Sequence, residues 1–196
     1  GSSRALSDSL RPRVLRPRHR AHLDPSEPRV RLRDRLGVPH HVAVIVAVGY
    51  GDARKGLDLL AAAAVRVCRL RPDAHFAWVG NRDPALGDQV DAMLAQAGIA
   101  DRFHFVGVDF DADDYFAGAD VYALPSREDP FPTVALEALS TGTPVVAFAG
   151  TGGAADLVGE RYGLTVPAFD VEAYAGALLR IVNDVALRTR LGEAGR

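Results

Sequence analysis

Lysine is almost absent from this chain. Of 23 basic residues, 22 are arginine and only Lys55 is lysine. A lone ammonium in a glycine-containing loop after the first strand therefore stands out. Cysteine is as scarce: Cys68 is the single one, so no internal disulfide can form. No histidine lies beyond His104, which excludes a histidine triad or histidine metal cluster drawn from the second half. Apolar runs such as Val42 to Val48 are far too short to cross a bilayer. No secretory signal pattern is visible. The net charge of −2 argues against a strongly basic nucleic-acid binder.

What remains is ordinary for a globular domain: 196 residues, 48% hydrophobic and 24% charged, enough for one domain with a core. Charge is unevenly placed. Residues 1–40 carry ten arginines against four acids, net +6, and five of the twelve prolines; residues 41–196 carry a net −8. We read residues 1–40 as an Arg/Pro-rich lead-in or linker with a short helix near Pro28 to Leu36. Its arginines can touch anionic lipid or RNA, but a solvated linker in an arginine-rich proteome is the preferred reading. Gly1-Ser2-Ser3 reads as a cloning remnant, and Arg196 falls inside a helical pattern, so a piece of a longer protein is expected.

From His41 onward, strands alternate with helices. His41 to Val48 (HVAVIVAV) reads as the first strand. Gly49-Tyr50-Gly51 is a turn, and Lys55-Gly56 opens a helix with apolar Leu57, Leu60, Ala61, Ala64, Val65 and Cys68 on one stripe. Phe76 to Gly80, Arg102 to Val108, Val121 to Leu124, Val145 to Phe148 and Gly163 to Val166 are the next strands. Helices are expected at Pro84 to Ala97, Asp113 to Ala117, from Pro132, one opened by Gly150 to Ala155 and running to Val158, at Asp170 to Val182 and from Val185. Six strands alternating with helices imply an α/β fold, a Rossmann-like, doubly wound parallel sheet. Arg54 and Lys55 then sit at the carboxyl end of a strand, where open α/β sheets bind ligands.

The organising stretch is Asp120 to Phe148, DVYALPSREDPFPTVALEALSTGTPVVAF. Pro132 stands where a helix begins, a position that tolerates its missing N–H. The N–H groups of Thr133, Val134 and Ala135 would lack intrahelical partners and, with the helix dipole, suit a phosphate. Glu137 lies one turn on, on the side of Thr133, where a ribose could sit. The bland alternative is an N-capping Asp129 and a solvated Glu137.

SREDPFPTVALEALSTGTPVVAF resembles the donor-site motif of retaining glycosyltransferases with the GT-B fold, the large family-four group. Asp129 stands at the first acid of the family's Glu-seven-residues-Glu pattern, Glu137 at the second, and Phe131, Gly142, Pro144, Val145 and Val146 follow in register. The first acid is Asp where the family has Glu, and Glu128 precedes it, so either can face the sugar. The first loop resembles the family's G-R-L-x-x-x-K-G through Gly49, Lys55 and Gly56, with Tyr50 in place of the usual Arg and Arg54 as a candidate substitute. Gly152, Gly153 and Asp156 approximate a further segment beside the donor.

The resemblance spans roughly residues 41–196 and implies the C-terminal, donor-binding half of such an enzyme, with an acceptor domain preceding residue 1. It implies transfer of a sugar from a nucleotide-diphosphate donor, in the cytoplasm, without cofactor or metal, with membrane contact open only for the whole protein. Lys55, Arg54, Asp129 and Glu137 would serve the reaction. Gly49, Gly51, Lys55, Gly80, Glu128, Asp129, Phe131, Pro132, Thr133, Val134 and Glu137 would bind the donor. A nucleotide-sugar epimerase of the same fold and a non-catalytic nucleotide-binding module are the alternatives.

Three other patterns carry less. Asp109 to Asp114 begins like a calcium loop but has Asp114 and Asp120 where Gly and Glu belong, so we read helix-capping acids. Gly150 to Ala155 fits a dinucleotide fingerprint with Asp170 downstream, yet it follows the fifth strand and opens a short helix. His104 has no evident partner and Cys68 reads as a small core residue.

Overall fold

The computed structural model describes residues 26–109, 113–130 and 133–196. The elements run α1 (Ser26–Leu36), β1 (Ala43–Val48), α2 (Leu57–Leu70), β2 (Ala74–Val79), α3 (Pro84–Gln96), β3 (Phe103–Gly107), α4 (Asp113–Gly118), β4 (Val121–Leu124), α5 (Thr133–Thr141), β5 (Val145–Phe148), α6 (Gly153–Tyr162), β6 (Gly163–Val166), α7 (Val171–Asn183) and α8 (Val185–Gly195). The six strands form one sheet in the order β3-β2-β1-β4-β5-β6, and every pairing is parallel. This is the doubly wound arrangement expected from the alternation. Its order reverses between β1 and β4, so their carboxyl ends flank the switch point where such sheets bind ligands.

The central strands are apolar on both faces because both faces are covered. Ala43, Ile45, Ala47, Phe76, Trp78, Val121 and Ala123 pack against α2 and α7. Val44, Val46, Ala77, Tyr122 and Leu124 pack on the opposite side with α1, α4 and α5. On the first side, Tyr174 of α7 reaches the sheet and its hydroxyl donates to the Val146 carbonyl at 2.9 Å. Aspartates start several helices: Asp83, Asp170 and Asp184 accept from the backbone N–H of Leu86, Ala173 and Leu187, each at 2.9 Å. Among the described residues no helix is long and apolar enough to cross a membrane.

Residues 1–40, read from the sequence as a lead-in with a short helix near Pro28 to Leu36, contain α1 (Ser26–Leu36). That helix packs onto the body of the domain. Leu32 is buried, and the Arg33 guanidinium is 0% exposed. Arg33 donates to the carbonyls of Val42 and Gly118 and to the Asp120 carboxylate at 2.7 Å. Asp120 also accepts from Val44 N–H and pairs with Arg29 and Arg188. Burial pushes the Arg33 guanidinium down from its ordinary range, and Asp120 works against that shift.

Two further readings change. Helix α2 begins at Leu57, not Lys55, because Gly56 adopts φ +76° and Asp52 accepts from Lys55 N–H. Lys55 is thereby held in the loop. His104 does have a partner: its Nε2 lies 3.0 Å from His75 Nδ1 on β2, and the rings stack.

Candidate functional site

Two loops meet at the switch point. The loop after β1 runs from Gly49 to Gly56, and the loop after β4 runs from Pro125 toward α5. Their backbones touch at Gly56, where a Cβ would lie 2.0 Å from the Pro125 carbonyl oxygen. Only glycine permits both that approach and the left-handed φ. A Cβ on Gly49 would meet the Lys55 methylenes at 3.6–3.7 Å. The Lys55 ammonium then donates to Asp129 Oδ2 at 2.6 Å, with side-chain exposures of 16% and 8%. Ser126 Oγ donates to the same oxygen at 3.4 Å.

This geometry separates the two adjacent acids. Asp129 is buried and faces Lys55, while the Glu128 side chain is exposed and its carbonyl accepts from Arg54 at 3.5 Å. Asp129 is anchored from a third loop as well. Its N–H donates to the Thr151 carbonyl at 2.8 Å, and a Cβ on Gly152 would lie 2.2 Å from the Asp129 carbonyl oxygen. The Gly150 to Ala155 segment thus packs against the acidic loop, and Asp170 is engaged as the cap of α7.

Thr133 opens α5 and is exposed; Val134 is half-buried. Glu137 is exposed in the second turn of α5. Phe131 and Pro132 lie outside the described residues. Burial raises the Tyr122 pKa, a hydrogen bond with the Val48 backbone opposes that, and the charges of Asp129 and Glu137 add to the rise.

Gly51 and Gly80 tie neighbouring loops together. Gly51 donates to Asn81 O at 2.8 Å and its carbonyl accepts from Asp83 N–H at 3.0 Å; Gly80 donates to Gly107 O at 2.7 Å. Over these strand ends lies a cavity of about 480 Å³ lined by Tyr50, Gly80, Asn81, Arg82, Pro84, Phe105 and Gly107. Tyr50 is 50% exposed there. The Arg82 guanidinium lies 3.9 Å from the Phe105 ring centre and pairs with Asp91 through both terminal nitrogens. Sequence reasoning passed over Asn81, Arg82, Phe105 and Gly107; their position just past β2 and at the end of β3 was the available signal.

The acids at Asp109 and Asp114 are turned toward α1, paired with Arg35 and Arg31. Among the described residues no group of three His, Cys, Asp or Glu is placed to hold a metal ion.

Fold and site together define a doubly wound α/β domain with a charged pair at its topological switch point. The sequence model described as "Glycosyl transferases group 1" matches residues 29–196, and the chain belongs to that family. It is 31% identical over 163 residues to the lipopolysaccharide core biosynthesis glycosyltransferase LpsE of Rhizobium meliloti (strain 1021), covering 83% of this chain and 46% of that protein. Among solved structures it resembles sucrose-phosphate synthase from Thermosynechococcus elongatus at 34% identity and TM-score 0.75, over 85% of this chain and 42% of that one. It also resembles Anabaena Alr3699/HepE, solved in complex with UDP, at 24% identity and TM-score 0.79, over 88% of this chain and 47% of that one. The chain therefore spans less than half the length of these relatives.

Proposed function

We propose that this domain holds the nucleotide-sugar donor of a retaining glycosyltransferase, whose acceptor is held by a further domain of the whole protein. The observation that carries the reading is the Lys55–Asp129 pair at the switch point, on the two loops that the family resemblance singles out. A diphosphate would take the Lys55 ammonium and the N–H groups at the start of α5, with Arg54 exposed nearby as a second cation. The base would enter the cavity beside Tyr50, which shares its loop with Lys55. Glu137 would bind the ribose hydroxyls, and Asp129 the donor sugar.

The chemistry requires stabilising a departing diphosphate. A preorganised ammonium and a helix N-terminus supply positive charge where negative charge develops. That permits transfer without a metal. In the transfer, the bond from the sugar's anomeric carbon to phosphate oxygen breaks and the acceptor oxygen bonds to the same face. The acceptor proton passes to the leaving phosphate, so no protein base is needed. HepE was solved in complex with UDP, which makes UDP one donor nucleotide to try.

Calorimetry with UDP, GDP and ADP tests the reading. One of them binds the wild-type domain, and Lys55→Ala and Glu137→Ala weaken it. Absence of binding by all three would count heavily against the proposal.

A further inference from the structure

We infer that Arg127 and Asp58 form a clamp that positions Lys55 opposite Asp129. The inference rests on the donor-binding reading of the site and adds two residues to it. Arg127 stands in the loop after β4, two positions before Asp129. Asp58 stands in the first turn of α2, three positions after Lys55. The Arg127 guanidinium meets both Asp58 oxygens, Nη1 to Oδ1 at 2.8 Å and Nη2 to Oδ2 at 2.7 Å. Nη1 also donates to the Ala53 carbonyl, and Arg127 N–H donates to the Arg54 carbonyl at 2.8 Å.

These contacts bracket Lys55 on both sides, at residues 53, 54 and 58. In the loop after β4, Arg127 stands between Ser126, whose hydroxyl donates to Asp129, and Asp129 itself. With the close contact of Gly56 and Pro125, the clamp leaves the two loops little freedom to slide. Its side chains are 34% and 30% exposed, so its contribution to global stability is small. A forked guanidinium is directional, however, and fixes distance and angle where a flexible ammonium would not. Burial pushes Asp58 up, but hydrogen bonding and charge from Arg127 hold its carboxyl below the usual range. Arg127 therefore stays engaged with Asp58 at neutral pH. It is a positioning residue that acts through Lys55.

The test uses the intact chain with Arg127→Met, Arg127→Lys, Asp58→Asn and the double variant Asp58→Asn/Arg127→Met. Affinity is measured for whichever of UDP, GDP and ADP binds wild type, alongside the thermal midpoint. Each single variant loses affinity about tenfold, as expected for a displaced contact group. The midpoint moves by no more than a few degrees, and the double variant is no worse than either single one. Arg127→Lys does not rescue, because an ammonium cannot span both Asp58 oxygens and Ala53. In the nucleotide-free domain, the single lysine side-chain ¹⁵N signal moves in Arg127→Met. Wild-type affinity in Arg127→Met and Arg127→Lys would overturn the clamp alone, as would losses in the two positions that simply add. A wild-type domain that binds none of the nucleotides would overturn the donor reading, and the clamp's role with it.

Discussion

Lys55 donates to Asp129 across 2.6 Å, joining the loop after β1 to the loop after β4. The free domain thus satisfies its one ammonium with an internal carboxylate, in the place where we propose a diphosphate binds. Phosphate oxygens then compete with Asp129 for Lys55. Replacing the acid by its neutral isostere should expose that competition. Asp129→Asn should tighten binding of the sugar-free nucleoside diphosphate by about three- to tenfold, since one opposing charge is removed from a partly buried pair. The same variant should weaken sugar transfer by the whole enzyme. Calorimetry on the domain checks the first part; looser binding would mean that Asp129 is not a competitor.

Gly56 offers a test of the loop architecture. Gly56→Ala would bring a Cβ to 2.0 Å from the Pro125 oxygen at φ +76°, and should cost about 3 kcal/mol or more. Gly107 has nearly the same dihedral, φ +75°, with nothing within 4 Å of its Cβ position. Gly107→Ala should cost only the left-handed penalty of about 1–2 kcal/mol. Urea unfolding of both variants decides. Equal losses would mean that the loops do not meet at Gly56.

The Asp120 centre should dominate the attachment of α1. It accepts from Val44 N–H and faces Arg29, Arg33 and Arg188. Asp120→Ala leaves a fully buried guanidinium without its counter-charge and should destabilise the domain by about 3–5 kcal/mol. A loss below about 1 kcal/mol would show that α1 contributes little.

The histidine pair predicts an acid-side loss of stability. Burial lowers the His75 pKa to about 4, with His104 and Arg102 adding to the fall and Asp101 and Asp73 opposing it. Burial lowers His104 as well, with Asp101 opposing. In the unfolded chain each imidazole titrates near about 6.5. Between these values the unfolded state binds the proton and the folded state does not, so stability falls as pH drops from about 6.5 toward 4. His75→Gln should flatten that slope. Thermal midpoints measured across this range check it; an unchanged slope would assign acid sensitivity elsewhere.

Much of the fold could be read along the chain because its signals are local. Val121 to Leu124, Val145 to Phe148 and Gly163 to Val166 are the observed strands, each a short apolar segment bounded by turn residues. Residues 53–57 were harder, since a left-handed Gly56 delays the helix that their composition favours. α1 reads as part of a linker in the sequence because a buried arginine looks like a solvated one until its partners are known. Arg33 finds Asp120 at a separation of 87 residues. The same limit hid the His75–His104 contact and the Arg127–Asp58 clamp, at separations of 29 and 69 residues. Lys55 and Asp129 were each singled out by residue type and motif. Their contact depends on β4 lying beside β1, which no local pattern encodes.

The scarcity of lysine allows the central claim to be observed at one atom. In a domain labelled with ¹⁵N-lysine, Lys55 gives the only side-chain ammonium signal. Titration with UDP, GDP and ADP should move that signal for the nucleotide that binds, with a matching ³¹P shift of its diphosphate. A nucleotide that binds while the Lys55 signal stays fixed would contradict a diphosphate site at the junction of the β1 and β4 loops.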